Sequence, residues 1–171
     1  MKFILLVLFI TYLNAELNCK FNEAKTESKC FNESGRHFLT KKYRTDVLFE
    51  TIFYHPGGGY IISFIRDNKV HGLQKFYTKD HQLISDVNMF NGKIDGDITR
   101  YNTDGSVLMI IHYLKGKLKS LELFSDDHRL RLFVTSNDNK YILDENNKTI
   151  KYSYELINKH FSNRLLLDKF Y

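Results

Sequence analysis

Seven histidines, two cysteines and twenty acidic side chains are the residues of this chain best suited to chemistry, and their spacing argues against most of it. The histidines stand at positions 37, 55, 71, 81, 112, 128 and 160. No two fall four apart, the spacing that sets two imidazoles on one helix face for zinc, so a metal hydrolase has no anchor. A serine nucleophile on a strand-to-helix elbow would need Gly-x-Ser-x-Gly, which the chain lacks. Gly57-Gly58-Gly59 is a glycine-rich run, but no Gly-Lys-Ser/Thr follows it, so it reads as a turn rather than a phosphate cradle. The acidic pairs Asp126-Asp127 and Asp95/Asp97 sit beside turn residues, where aspartate commonly serves the backbone. The expectation is a protein without catalytic residues, cofactor or resident metal.

The cysteines take their meaning from the N-terminus. Met1-Lys2 is followed by an apolar run from Phe3 to Leu13 and then by Asn14-Ala15, the three regions of a secretory signal. The run is too short for a membrane anchor, which needs roughly 20 apolar residues. A lipoprotein signal would want small residues before Cys19, where Glu16-Leu17-Asn18 stand instead. Cleavage after Ala15 would leave a chain of residues 16–171 in a periplasmic or extracellular compartment. There Cys19 and Cys30, eleven residues apart and alone in the chain, are expected to form a disulfide. Closing so short a loop contributes roughly 2–3 kcal/mol in the chain-entropy model.

A repeat positions everything after them. Tyr77 to Leu83, Tyr101 to Val107 and Phe124 to Leu130 each open on an aromatic, run through polar turn formers and close on an aliphatic. The offsets are 24 and 23, and two steps of 23 back from Tyr77 reach Tyr54 and Phe31. Four residues after each aromatic come Gly35, Gly58, His81, Gly105 and His128, where a left-handed backbone is expected. Asn147 holds that place in a worn further copy, Leu143–Thr149. A second turn recurs at Asp67-Asn68, Asn91-Gly92 and Lys115-Gly116, followed four residues on by Gly72, Gly96 and Ser120. Asn-Gly between apolar strands is a strong hairpin signal, because a type I′ turn needs positive φ twice. Between the turns, segments such as Leu83–Phe90 and Val107–Leu114 are strand-like. The fold expected is all-β, an antiparallel meander of 23–24-residue hairpin repeats forming one domain over 16–171.

Asn91-Gly-Lys-Ile-Asp-Gly96 followed by Tyr101-Asn-Thr-Asp-Gly105 resembles the MORN-type repeat, in the bacterial form found in antitoxin components of the YwqK type. The resemblance is clearest over 66–130 and extends back to 31. It implies a scaffold that carries varied surfaces, and an immunity protein that neutralises a toxic effector as its sharpest functional expectation.

After the repeats, 131–171 reads as a cap. Leu130–Thr135, Tyr141–Asp144 and Thr149–Leu156 are strand-like, the last because Ile150, Tyr152, Tyr154 and Leu156 alternate with polar residues. A short helix is expected over 157–168, where Ile157, Phe161, Leu165 and Leu166 share a face that would cover the open sheet edge. Asn32-Glu-Ser34 and Asn147-Lys-Thr149 match the N-glycosylation sequon, which has meaning only in a eukaryotic source.

Composition sets the outer limits. At 43% hydrophobic and 26% charged the chain is not disordered. Its net charge of +5, or +4 without Lys2, is spread along its length, so no nucleic-acid arm or acidic tail is present. The function expected is binding to a protein partner, a toxin among the candidates. A structural envelope scaffold whose basic face meets lipid headgroups is the alternative, and an enzyme with an unrecognised site is a third reading. The oligomeric state is open.

Overall fold

A computed structural model describes residues 18–135, 137 and 139–161. The expected signal segment lies outside them. The chain divides into two compact units, the first ending at Lys93 and the second beginning at Ile94.

The first unit contains β1 (Asn18–Phe21), β2 (Glu27–Phe31), β3 (His37–Arg44), β4 (Val47–Tyr54), β5 (Tyr60–Arg66), β6 (Lys69–Val70), β7 (Gly72–Tyr77) and β8 (Leu83–Phe90). The order is β1-β2-β3-β4-β5-β7-β8, with β6 a two-residue ribbon on β5, and the pairings are antiparallel. β9 (Lys93–Tyr101) opens the second unit and is followed by β10 (Val107–Leu114), β11 (Lys117–Phe124), β12 (Leu130–Thr135), β13 (Lys140–Asp144) and β14 (Thr149–Ile150). These pair in sequence order, again antiparallel. The protein is thus an all-β antiparallel meander with one short helix, α1 (Tyr154–His160), near its end.

The meander follows from its turns. The residue four after each repeat aromatic is left-handed at Gly35, Gly58, His81, Gly105, His128 and Asn147, with φ between 58° and 95°. In each turn its N–H donates to the carbonyl three residues earlier, as from Gly105 to Asn102 at 3.0 Å and from His128 to Ser125 at 2.9 Å. Side-chain oxygens at the first turn position hold several of these loops from inside, such as Asn32 Oδ1 accepting from the Arg36 N–H at 2.8 Å. The second turn family has both central residues left-handed at Asp67-Asn68, Asn91-Gly92 and Lys115-Gly116, the type I′ geometry. Gly72 and Gly96 are also left-handed, whereas Ser120 pairs with His112 within the ladder.

Two turns carry no sequence mark. Thr45-Asp46 is a further left-handed pair, and Lys25, four residues after Phe21, repeats the first turn at the start of the sheet. Neither contains glycine or asparagine at the strained position, and neither falls on the 23–24-residue offset of its turn family.

The core is built in cross-strand rows. In the second unit Met109, Leu123, Leu132 and Ile142 stand opposite one another on β10 to β13, all fully buried. Beside them runs Ile98, Ile111, Leu121 and Val134. The first unit buries Cys30, Leu39, Ile61, Ile65, Val87 and Met89.

The strand expected over Thr149–Leu156 is corrected. Only Thr149–Ile150 pairs, and α1 begins at Tyr154. Ser153 is extended at φ −147° and its Oγ accepts the Leu156 N–H at 3.2 Å, a helix N-cap. The apolar alternation runs on past the last paired residue, and the cap marks where the helix begins. Glu155 in the first turn and Lys159 and His160 in the last suit the helix dipole. Ile157 and Phe161 are buried as expected, and Leu165 and Leu166 lie outside the described residues. The helix end is tied to a turn rather than to a strand edge, through the Asp126 N–H donating to the His160 carbonyl at 2.9 Å. Among the described residues no helix is long and apolar enough to cross a membrane.

One glycine is required by close approach rather than by φ. A Cβ on Gly59 would stand 2.7 Å from the Tyr77 carbonyl oxygen, which belongs to the neighbouring strand. Gly59→Ala is expected to lower stability by about 1–3 kcal/mol through forced backbone shifts, measured by urea unfolding.

Candidate interaction surfaces

The repeat aromatics of the first unit form a ladder. Phe31 ends β2 and faces His37 on β3, and Tyr54 at the end of β4 faces Tyr60 on β5, which in turn faces Tyr77 on β7. Ring centroids are 5.6 Å apart for Phe31–His37, 4.8 Å for His37–Tyr54, 6.2 Å for Tyr54–Tyr60 and 4.8 Å for Tyr60–Tyr77. The last pair is stacked at 12°. The Tyr60 hydroxyl meets His81 Nδ1 at 3.1 Å, which brings the turn histidine onto the ladder. Burial, and then the neighbouring Tyr77 and Tyr54, hold the Tyr60 phenol above its ordinary pKa, so it stays protonated and able to donate. The rings are half-buried and His81 is exposed. Half-buried and packed on one another, the rings leave part of their surface accessible, which suits non-covalent recognition of a mixed apolar and polar surface.

The sequence builds this ladder by pairing each repeat's first and seventh positions across its turn. In the two turns 31–37 and 54–60 both positions carry rings, whereas Tyr77 and Tyr101 face Leu83 and Val107.

A charged network crosses the second unit. His112 Nδ1 lies 2.7 Å from Asp97 Oδ1 and its Nε2 3.1 Å from Glu122 Oε1. Arg131 donates to Glu122 Oε2 at 2.8 Å and to Asn147 Oδ1. The ring thus stands between two carboxylates, one at each nitrogen. That arrangement ties β9 to β12; it does not aim two acids at one substrate. Sequence reading missed it because the partners are nine to sixteen residues apart and meet only when the strands are paired. Glu122→Ala is expected to cost about 2 kcal/mol, discounted for the partial exposure of His112 and Arg131. A double-mutant cycle with Arg131→Ala should give a coupling of about 1 kcal/mol.

Two turn aspartates contribute to the acid sensitivity expected of the fold. Asp104 is held below the ordinary carboxylate range first by the Ser106 hydroxyl at 2.6 Å and then by the Ser106 N–H. Asp127 is held down first by the Ser125 hydroxyl and then by the Arg129 N–H. A depressed folded pKa contributes stability that is present above the ordinary value of 3.8 and lost as pH falls through the folded value. The Asp104→Asn/Asp127→Asn variant should therefore lose less stability than the natural chain between about pH 5 and pH 2, read from unfolding midpoints.

The remaining expected positions have structural places. Cys19 and Cys30 are bonded, and they sit opposite each other on β1 and β2. Such a bond fits an oxidising compartment. Gly35, Gly58, Gly92, Gly96, Gly105 and Gly116 all have positive φ. Gly57–Gly59 forms a hairpin turn in which the His55 N–H donates to the Gly59 carbonyl at 2.8 Å. Among the described residues, no group of three or more His, Cys, Asp or Glu side chains could hold a metal ion.

No family model matches the chain, and no curated protein matches it. Among solved structures it is similar to a point mutant of S. aureus TarM in complex with fondaparinux, alpha-GlcNAc-glycerol and UDP. The identity is 14%, the TM-score 0.28, and the match covers 81% of this chain and 24% of that one. A second TarM crystal structure matches at 16% identity and a TM-score of 0.25, over 87% of this chain and 24% of that one. The chain spans about a quarter of these proteins. Scores this low do not establish a shared fold.

Proposed function

We propose that the chain is an exported, non-enzymatic module that binds a protein partner in the periplasm or outside the cell. The observation that carries this reading is the tyrosine-rich ladder. Tyrosine is enriched at protein interfaces because it gives large contact area with few torsions to freeze. The signal-like N-terminus and the disulfide support export. The resemblance of Asn91–Gly105 to MORN-type repeats of antitoxin components supports a toxic effector as the partner. Protein expressed from the full-length gene with a C-terminal tag should recover one stoichiometric protein from its native envelope or medium. A toxic partner makes the module an immunity protein, and recovery of lipid alone defeats the reading.

A second reading rests on one hairpin tip. Leu114-Lys115-Gly116-Lys117-Leu118-Lys119 is exposed throughout, with Leu114 at 52% and Leu118 at 39%. Two apolar side chains among three lysines suit an anionic lipid surface, as a structural envelope scaffold would require. That reading expects salt-sensitive cosedimentation with anionic vesicles, lost on Leu114→Ser/Leu118→Ser.

A further inference from the structure

The two units differ at one buried row. In the second unit it is apolar, running Ile98, Ile111, Leu121, Val134. The repeat places Thr51, Gln74, Ile98 and Leu121 alike, each three residues before its aromatic. In the first unit the matching row is polar: Ser28 faces Lys41, Lys41 faces Thr51, and Thr51 faces Ser63. Gln74 joins it by donating from Nε2 to Ser63 Oγ at 2.7 Å.

These groups are deeply buried and incompletely satisfied. Thr51 and Ser63 are 0% exposed and Gln74 is 3% exposed. Thr51 Oγ1 and Gln74 Oε1 have no hydrogen-bond partner. Each such orphan costs free energy that an aliphatic residue would not, and the second unit shows that the fold accepts aliphatics there. Lys41 is half-buried and, among the described residues, is in no ion pair. Burial lowers the pKa of its ammonium. The facing residues Ser28 and Thr51 bring no carboxylate to it. Directly opposite neighbours in the row stand about 5 Å apart.

We propose that this row binds a small ligand carrying an anionic oxygen beside a hydroxyl, such as hydrogen phosphate or a 2-hydroxy carboxylate. Lys41 supplies the positive charge. The Thr51 hydroxyl donates to the anionic oxygen, and so does Ser63, whose oxygen already accepts from Gln74. Gln74 Oε1 accepts from the ligand's own hydroxyl, which an aprotic anion lacks.

The test is thermal unfolding of the oxidised chain, expressed from the full-length gene, in chloride, phosphate, glycolate, sulfate or acetate at matched pH and ionic strength. Phosphate or glycolate at about a hundred times its dissociation constant should raise Tm by roughly 5–10 °C, more than sulfate or acetate. Lys41→Met and Thr51→Val should each abolish that rise, and Lys75→Met, one residue along from Gln74 on the opposite face, should keep it. Without ligand, Thr51→Val should unfold no earlier than the natural chain, because it removes an orphan hydroxyl at nearly constant volume. Four results overturn the proposal: no rise with any anion, an equal rise with sulfate and acetate, a rise unchanged in both variants, or a crystal structure grown in phosphate and glycolate with only water on Thr51 and Gln74.

Discussion

Leu123→Ala is expected to lower the free energy of unfolding by about 3–5 kcal/mol. Leu123 is fully buried and sits between Met109 on β10 and Leu132 on β12, both of them buried too. Truncation removes apolar surface and leaves a void that neighbours held on both sides by backbone ladders cannot fill. Leu118→Ala on the same strand is the control. That side chain is exposed, so its loss should stay within about 0.5 kcal/mol. Denaturant unfolding followed by far-ultraviolet circular dichroism reads both. Equal effects at the two positions would mean that the row does not carry the core.

Partner capture should collapse when the ladder is stripped. Tyr54→Ala/Tyr60→Ala/Tyr77→Ala removes three consecutive rings, and interface tyrosines at hot spots contribute about 2 kcal/mol or more each. Affinity should therefore fall by at least about 100-fold even if the three effects are far from additive. The matching Phe variants keep the rings in place and lose only hydroxyls, including the Tyr60 contact with His81. They should retain most affinity if packing area drives recognition. Undiminished capture by the alanine variant, with its fold verified by circular dichroism, would move the binding surface off the ladder.

What the sequence disclosed depended on whether a position needs a special backbone. Gly35, Gly58 and Gly105 announce themselves because left-handed φ favours glycine, and their period then assigns the role to His81 and His128, whereas Asn147 takes it out of period. Lys25 and Thr45-Asp46 adopt the same geometry with residues that are common anywhere, so composition says nothing about them. At Thr149–Leu156 the apolar alternation runs on past the last paired residue, and the Ser153 N-cap marks where the helix begins instead. The Asp97–His112–Glu122–Arg131 network and the polar row through Thr51 are features of strand register. Linear spacing reveals neither until each strand's partner residues are known.

The bond between Cys19 and Cys30 gives the sheet a timing element. β1 is four residues long, mostly exposed, and is the first strand of the described sheet. Before oxidation it is held by its backbone pairing with β2 and by a few contacts such as Phe21 against Tyr43, and so short a terminal strand frays readily. While it is detached, β2 presents a row of unpaired amides and carbonyls that invites strand addition from another chain. Oxidation pins β1 over that edge, so the reduced chain is expected to take up a foreign strand more readily than the oxidised one.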